Sequence, residues 1–131
     1  MKKVKILKTN INEITLEDVT SILTSSKKIT VAVCNANSLV RAYKNNLQNK
    51  IIESFDIKLP DGFPVAKASS IIYKNNQKRV DGYKLFTETV KKGLNNNTSH
   101  YFYGNSKEVI DKLISELKKK HPKVNIAGYL C

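Results

Sequence analysis

Short apolar segments alternate along the chain with longer segments of helical periodicity. Runs of four to eight residues rich in β-branched and aromatic side chains and bounded by turn residues predict β-strands. The predicted strands are residues 4–9, 28–35, 55–60, 99–105 and 122–131. The clearest is KITVAVCN, residues 28–35, in which Ile29, Val31 and Val33 occupy every second position.

Apolar residues at spacings of three and four predict amphipathic helices between these strands. The predicted helices are residues 15–26, 36–55, 63–73, 82–94 and 106–121. Thr15 and Ser106 are predicted N-caps, and Asp18 lies at the capping-box distance from Thr15. Pro64 falls in a first helical turn, where a missing backbone N–H costs little.

The order of these elements predicts an α/β domain. Alternation of strands and helices with few hairpin signals is typical of a mostly parallel sheet flanked by helices. A chain of 131 residues without repeats or linkers is predicted to form a single domain, residues 1–131. The last strand ends on the apolar residues IAGYLC. Either it lies inside the sheet, or the chain is shorter than the fold that it begins.

The composition indicates a reduced, cytoplasmic protein. No apolar run approaches the roughly 18 residues of a spanning helix, and the first residues lack the features of a signal peptide. Two cysteines, Cys34 and Cys131, form neither a disulfide framework nor a metal-ligand set. Dinucleotide and Walker A loops are absent, so we expect no metal and no cofactor.

The net charge of +12 is spread evenly along the chain. Residues 1–60 carry ten basic and five acidic groups, and residues 61–131 carry thirteen and six. Only Arg41 and Arg79 are arginines, which argues against the reading of bases, so we expect no nucleic-acid partner. The excess is compatible with attraction to the anionic inner leaflet of a membrane. It is equally compatible with a compositional bias towards Lys, Asn and Ile.

Candidate chemistry lies at the ends of three predicted strands. Ligands of open α/β sheets bind at the carboxyl ends of the strands, where this chain places Asn35, Asp61-Gly62 and Gly104-Asn105. By itself, Asp61-Gly62 is also compatible with a plain turn between a strand and a helix.

Arg79 is the second candidate for binding chemistry. It stands just before a predicted helix start, in a chain that otherwise uses lysine. Its position suits the binding of a phosphate beside backbone N–H groups, and it suits equally well the capping of the preceding loop. The spacing does not choose between these two roles.

Five motifs, read in order, closely resemble the WecG/TagA/CpsF family of bacterial glycosyltransferases. They are Asn35, LPDGFPV at residues 59–65, KRVDGYKLF at 78–86, YFYGN with the following helix at 101–122, and VNIAG at 124–128. Together they cover nearly the whole chain.

The resemblance implies a Rossmann-like α/β fold and an inverting, UDP-sugar-dependent glycosyltransferase. Such an enzyme transfers N-acetylmannosamine or a related sugar from a UDP donor to a lipid-linked (undecaprenyl diphosphate) acceptor. The implied pathways are the biosynthesis of teichoic acid and other cell-surface polysaccharides. The implied location is the cytoplasm, as a peripheral protein at the inner face of the plasma membrane. The resemblance leaves homo-oligomerisation open.

The resemblance also assigns roles to individual residues. Asp61 corresponds to the general base, and Arg79 to the motif arginine near the donor. The residues expected to bind substrates are Asn35, Gly62, Arg79, Gly82, Gly104 and Asn105. An inverting transfer needs a base for the acceptor hydroxyl, and cationic or N–H groups for the departing diphosphate. Asp61-Gly62 is therefore interpreted as part of a site rather than as a plain turn.

The chain departs from the family pattern, and these departures define an alternative to the catalytic function. Val33 stands where many relatives carry threonine, and the threonine expected near Asp81 is also replaced. Relatives are expected to continue beyond residue 131 with further active-site motifs and a basic, membrane-docking appendage. The alternative is a truncated, non-catalytic member that binds a nucleotide-sugar or a partner protein without turnover.

Overall fold

The chain folds into six β-strands and six α-helices in a computed structural model that describes residues 1–131. In chain order they are β1 (Lys3–Ile6), β2 (Thr9–Asn12), α1 (Leu16–Leu23), β3 (Val31–Cys34), α2 (Ala36–Lys44), α3 (Asn46–Glu53), β4 (Ile57–Pro60), α4 (Phe63–Tyr73), α5 (Gly82–Gly93), β5 (Ser99–Tyr103), α6 (Lys107–Lys120) and β6 (Asn125–Leu130). A 3₁₀ turn, Leu94–Asn96, follows α5. The elements divide into two compact units, Met1–Leu85 and Phe86–Cys131.

The strands pair two by two. β3 pairs with β4 and β5 with β6 in parallel, whereas β1 and β2 form an antiparallel hairpin. Helices connect the strands of both parallel pairs, which is the pattern of a Rossmann-like α/β fold. The predicted fold class is thus confirmed. The structure has three separate two-stranded sheets, two of them parallel.

The elements differ from the sequence prediction in two places. Residues 4–9, predicted as one strand, contain the hairpin turn, in which Leu7 adopts a φ of +55°. The turn has none of the glycine or asparagine signals that reveal a hairpin. The predicted helix over residues 36–55 is two helices, because Asn45 leaves the helical conformation and caps α3 with its side chain.

The predicted helix starts are confirmed. Thr15 Oγ1 accepts a hydrogen bond from the N–H of Asp18 at 3.1 Å, and Ser106 caps α6 in the same way. Helix α4 has the predicted bounds, with Pro64 in its first turn. No helix combines the length and the apolar character needed to cross a membrane.

The core of the first unit lies on the two faces of β4, whose four residues are all buried. One cluster packs the β1–β2 hairpin against β3, α2 and α4; its members are Val4, Ile6, Ile11, Cys34, Leu39 and Val65. The other cluster packs β4 against α1 and the start of α5; its members are Ile14, Val19, Ile57, Leu59, Val80 and Leu85. The second unit buries Val90, Ile110 and Leu117, and its Phe86 and Phe102 rings lie 6.0 Å apart.

Strand β4 carries a buried lysine. The Lys58 side chain is 1% exposed, and its Nζ donates to the carbonyls of Phe55 at 2.8 Å and Glu53 at 3.4 Å. The Glu53 carboxylate lies 3.9 Å from Nζ and accepts from the N–H of Asn10 at 2.6 Å. The N–H of Lys58 donates to Asn12 Oδ1 at 2.7 Å. The ammonium thus satisfies carbonyls at the end of α3 and ties α3, β2 and β4 together.

Cys34 lies beside this group of polar contacts. Its side chain is buried in the core cluster. Burial raises the pKa of the Cys34 thiol to about 11, although the nearby Lys58 ammonium partly offsets the effect. The thiol therefore stays protonated at neutral pH and serves as a core residue rather than a nucleophile.

Replacing Lys58 with methionine should destabilise the chain by about 2–3 kcal/mol. The substitution keeps most of the volume but leaves the carbonyls and the Glu53 carboxylate without the ammonium. Urea unfolding measures the effect, and Lys50→Met on the exposed surface of α3 is the matched control, with a change within about 0.5 kcal/mol. Equal midpoints for the two variants would show that the ammonium does not hold α3.

The two thiols should differ in their rates of reaction with Ellman's reagent at pH 8. Exposed Cys131 should react at once, whereas Cys34 should react only as the chain opens, because the thiolate is the reactive form. Cys131→Ser should remove the fast phase and leave the slow one. A fast phase that survives Cys131→Ser would contradict the burial of Cys34.

Candidate active site at the carboxyl ends of strands β3 and β4

The carboxyl ends of β3 and β4 lie side by side. The parallel register pairs Cys34 with Pro60, and the N–H of Asp61 extends the pairing by donating to the carbonyl of Cys34 at 3.0 Å. Asn35 and Asp61, the residues that follow the two strands, therefore leave the pair at the same edge. The structure brings these two predicted site residues together.

The segment that precedes α5 joins this edge. The N–H of Val80 donates to the carbonyl of Pro60 at 2.9 Å, and the Val80 side chain is buried. A Cβ added at Gly82 would lie 3.5 Å from Val33 Cγ1, so the start of α5 touches β3. Residues 79–82 thus run past the ends of the strands that lead to Asn35 and Asp61.

Asp61 offers an accessible carboxylate at this edge. Its side chain is partly buried and makes no hydrogen bond or ion pair within the chain. Gly62 follows with a φ of +84°, a conformation that side chains rarely adopt, and leads directly into α4. No side chain caps the first N–H groups of α4. One corner therefore combines a proton acceptor with unpaired N–H groups that favour an anion.

Arg79 projects from the same segment with half of its surface exposed. Its Nη2 lies 3.4 Å from Asp81 Oδ2, and the side chain is 53% exposed. Asp81 Oδ1 accepts from the N–H of Lys84 at 3.1 Å and so caps α5. This hydrogen bond, assisted by the nearby guanidinium, holds the pKa of Asp81 below its usual range. Arg79 is thus linked to a helix cap and still presents N–H groups to solvent.

Asn35 has a structural role as well as an exposed amide. Its Oδ1 accepts from the N–H of Ser38 at 2.9 Å and caps α2. The Nδ2 group has no partner in the chain and is available as a hydrogen-bond donor.

Gly104 and Asn105 form the turn between β5 and α6 in the second unit. Both residues have positive φ angles, +103° and +69°, and the N–H of Gly104 donates to the carbonyl of Leu130 at 2.8 Å. Asn105 Oδ1 accepts from the N–H of Ser106 at 2.9 Å. The expectation that Gly104 lines a pocket with Asp61 and Asn35 stays a prediction.

Two clefts of the first unit adjoin the segment of Arg79. One has a volume of about 640 Å³ and lies between residues 13–18 and residues 76–84. The other, of about 420 Å³, runs along α4. Arg79 lines both clefts, whereas Asp61 and Asn35 line neither. The sequence did not predict either cleft, because each is built from segments far apart in the chain. The signal for the cleft along α4 was the pair of apolar residues, Phe63 and Ile71, on that helix.

Comparison with known proteins gives a family match over almost the whole chain. The model of the family described as "Glycosyl transferase WecG/TagA/CpsF family" matches residues 4–131. A protein of Bacillus spizizenii, named N-acetylglucosaminyldiphosphoundecaprenol N-acetyl-beta-D-mannosaminyltransferase, is 34% identical over 110 residues, which are 84% of this chain and 43% of that protein. A Bacillus subtilis protein of the same name is 27% identical over 99 residues, which are 76% of this chain and 39% of that protein. The chain therefore spans about two fifths of the length of these relatives.

Proposed function

The chain belongs to the WecG/TagA/CpsF family of glycosyl transferases, and on this basis we propose that it transfers a sugar from a UDP donor to a lipid-linked acceptor. The sugar is N-acetylmannosamine or a related one, and the acceptor carries its saccharide on undecaprenyl diphosphate. The names of the two relatives, which specify a mannosaminyl group and an N-acetylglucosaminyldiphosphoundecaprenol, support this choice.

The observation that carries the proposal is the unpaired Asp61 carboxylate at the shared edge of β3 and β4. Ligands of α/β folds bind at this edge, and the Arg79 segment is hydrogen-bonded to the same strand end through Val80. A base, a cation and unpaired N–H groups are the components that an inverting transfer requires.

In the proposed reaction, Asp61 removes the proton from the acceptor hydroxyl. The hydroxyl oxygen forms a bond to the anomeric carbon on the face opposite the diphosphate, and the bond between that carbon and the diphosphate oxygen breaks. UDP leaves with the bonding electrons, and the configuration inverts. Arg79 and the first N–H groups of α4 stabilise the charge on the departing diphosphate.

The remaining proposed binding residues surround this reaction. Asn35 offers its free Nδ2 group, and Gly62 lets a substrate approach the backbone at the start of α4 closely. Gly82 lets the start of α5 pack against Val33 of β3, and it is retained as a binding residue on the family resemblance. Gly104 and Asn105 are retained as binding residues on the family resemblance alone.

We further propose that the protein works as a peripheral protein at the inner face of the plasma membrane. The proposed acceptor is a lipid, and the net charge of +12 attracts the chain to anionic headgroups. The products would enter teichoic acid or another cell-surface polysaccharide.

Asp61→Asn tests the proposed base. The full chain is incubated with UDP-N-acetylmannosamine and a short-lipid N-acetylglucosaminyl diphosphate acceptor, and the release of UDP is followed. The variant should lose about 10²–10⁴-fold in turnover and still bind the UDP-sugar, because the amide keeps the shape but cannot take a proton. The matched control is Asp111→Asn, since Asp111 lies on α6 and forms an exposed ion pair with Lys107 and a contact with Tyr129. An Asp61→Asn rate equal to that of the control would refute the assignment. A chain that binds UDP-sugar but never releases UDP would instead be the non-catalytic family member.

Arg79→Ala tests the proposed diphosphate contact. It should weaken UDP binding by about tenfold, because one charge-assisted contact is lost, while the melting temperature stays close to that of the parent. Arg41→Ala, the chain's other arginine, exposed on α2, is the control and should leave UDP affinity unchanged. If a titration gives both variants the same UDP affinity, Arg79 does not contact the diphosphate and has only its structural contact with Asp81.

A further inference from the structure

The cleft along α4, called here the α4 cleft, is a second binding feature of the first unit. It has a volume of about 420 Å³, within the range of small-molecule sites. One wall is a face of α4, and the other is the extended segment 77–79. The side chains on the α4 wall are Phe63, Ala66, Lys67, Ser70 and Ile71.

Two large apolar side chains of the α4 wall are open to solvent. Phe63 is 65% exposed and Ile71 is 67% exposed, although both are large apolar residues. The wall residues recur at spacings of three and four, so they form one stripe on the helix. From Phe63 to Ile71 this stripe is about 12 Å long. Such a stripe, left open beside a cleft, fits a ligand with an extended apolar part.

The same cleft is cationic. Lys67, Lys78 and Arg79 line it, and no acidic side chain does. The Lys67 ammonium lies 5.1 Å from the centre of the Phe63 ring, so charge and apolar surface are adjacent. The cleft beside α1 differs, since acidic groups such as Glu17 line it together with its cations. Charge complementarity therefore favours an anion in the α4 cleft.

The wall opposite α4 is held in place at both ends. Gln77 exchanges two hydrogen bonds with the backbone of Ile14, at 3.2 and 3.1 Å. Its carbonyl also accepts from Ser70 Oγ at 3.4 Å, which links the two walls. At the other end, the N–H of Val80 donates to the carbonyl of Pro60 at 2.9 Å. The cleft is thus formed by fixed elements and needs little ordering to accept a ligand.

We propose that the α4 cleft binds an isoprenoid diphosphate, the anionic amphiphile that forms the lipid end of the acceptor. The first isoprene units lie along Phe63 and Ile71, and the diphosphate lies against Lys67 and Lys78. Both walls of the cleft adjoin the end of β4 that leads to Asp61: Phe63 follows Asp61 by two residues, and Val80, which follows the segment 77–79, is hydrogen-bonded to Pro60. The identification of this ligand with the acceptor rests on the proposed function, whereas the binding itself does not.

Titration of the full chain with farnesyl diphosphate tests the site without any need for turnover. Farnesyl diphosphate should bind at least about tenfold more tightly than inorganic diphosphate or farnesol, because only the amphiphile uses both the cations and the apolar stripe. Equal affinities for farnesyl diphosphate and inorganic diphosphate would overturn the proposal.

The chain offers a matched pair of variants for the apolar stripe. Ile71 and Ile72 are both exposed on α4, at 67% and 59%, but only Ile71 lines the cleft. Ile71→Asn should weaken farnesyl diphosphate binding by about fivefold or more, and Ile72→Asn should change it by less than about twofold. Equal losses in the two variants would mean general apolar adhesion and would refute the site.

A charge-reversal pair tests the cationic part. Lys67→Glu combined with Lys78→Glu should weaken farnesyl diphosphate binding by about tenfold or more, while Lys44→Glu combined with Lys50→Glu, on α2 and α3, should have a much smaller effect. The two double variants have the same net charge. Equal losses would show that only the overall charge matters, which contradicts the proposal.

Two further measurements test which ligand occupies the α4 cleft and whether its binding depends on the proposed catalytic function. Phosphatidylglycerol vesicles without isoprenoid should not reproduce the dependence on Ile71; if they do, bulk membrane lipid occupies the cleft and the assignment is wrong. Cleft-dependent binding in a chain that never releases UDP would uphold this inference and overturn the catalytic proposal. UDP release combined with binding that ignores Ile71 would overturn this inference alone.

Discussion

The parallel pairing of β3 with β4 is the constraint on which the candidate site depends. Its register sets Cys34 against Pro60, and one further hydrogen bond from Asp61 carries the pairing past the strand ends. Val80 then bonds to the other side of the same end. A slip of one residue would turn Leu59 out of its apolar cluster and turn Lys58 into it, so packing fixes the register and with it the position of the carboxylate.

The buried Lys58 ties β4 to its other neighbours, α3 and the β1–β2 hairpin. Its ammonium satisfies carbonyls at the end of α3, and its N–H meets Asn12 of the neighbouring hairpin. A buried ammonium is costly without such partners, and here they are carbonyls three and five residues before it. Lys58 therefore fixes β4 to α3 and to the hairpin, while the apolar residues on the other face of the strand pack in the core.

The fold brings some of the evenly spread basic residues together at one surface. In the sequence the basic residues are spread evenly, and that spread is compatible with compositional bias. In the first unit, α4 and the segment before α5 bring Lys67, Lys78 and Arg79 to one apolar cleft that has no acidic lining. The local arrangement of these charges, rather than the net charge of the chain, favours a lipid diphosphate as the ligand of the α4 cleft.

The sequence by itself determined the α/β class, the order of the family motifs, the bounds of α4 and the caps at Thr15 and Ser106. These features depend on interactions that span only a few residues, so the local pattern contains them. Only the tertiary structure decided the hairpin turn at Leu7, the burial of Lys58 and the existence of the α4 cleft. The turn at Leu7 carries no local turn signal, and the other two depend on packing between distant segments; the N–H of Lys58, for example, donates to Asn12, 46 positions away. No local periodicity records such a partner, because the free energy that selects it comes from packing and from the pairing of buried polar groups.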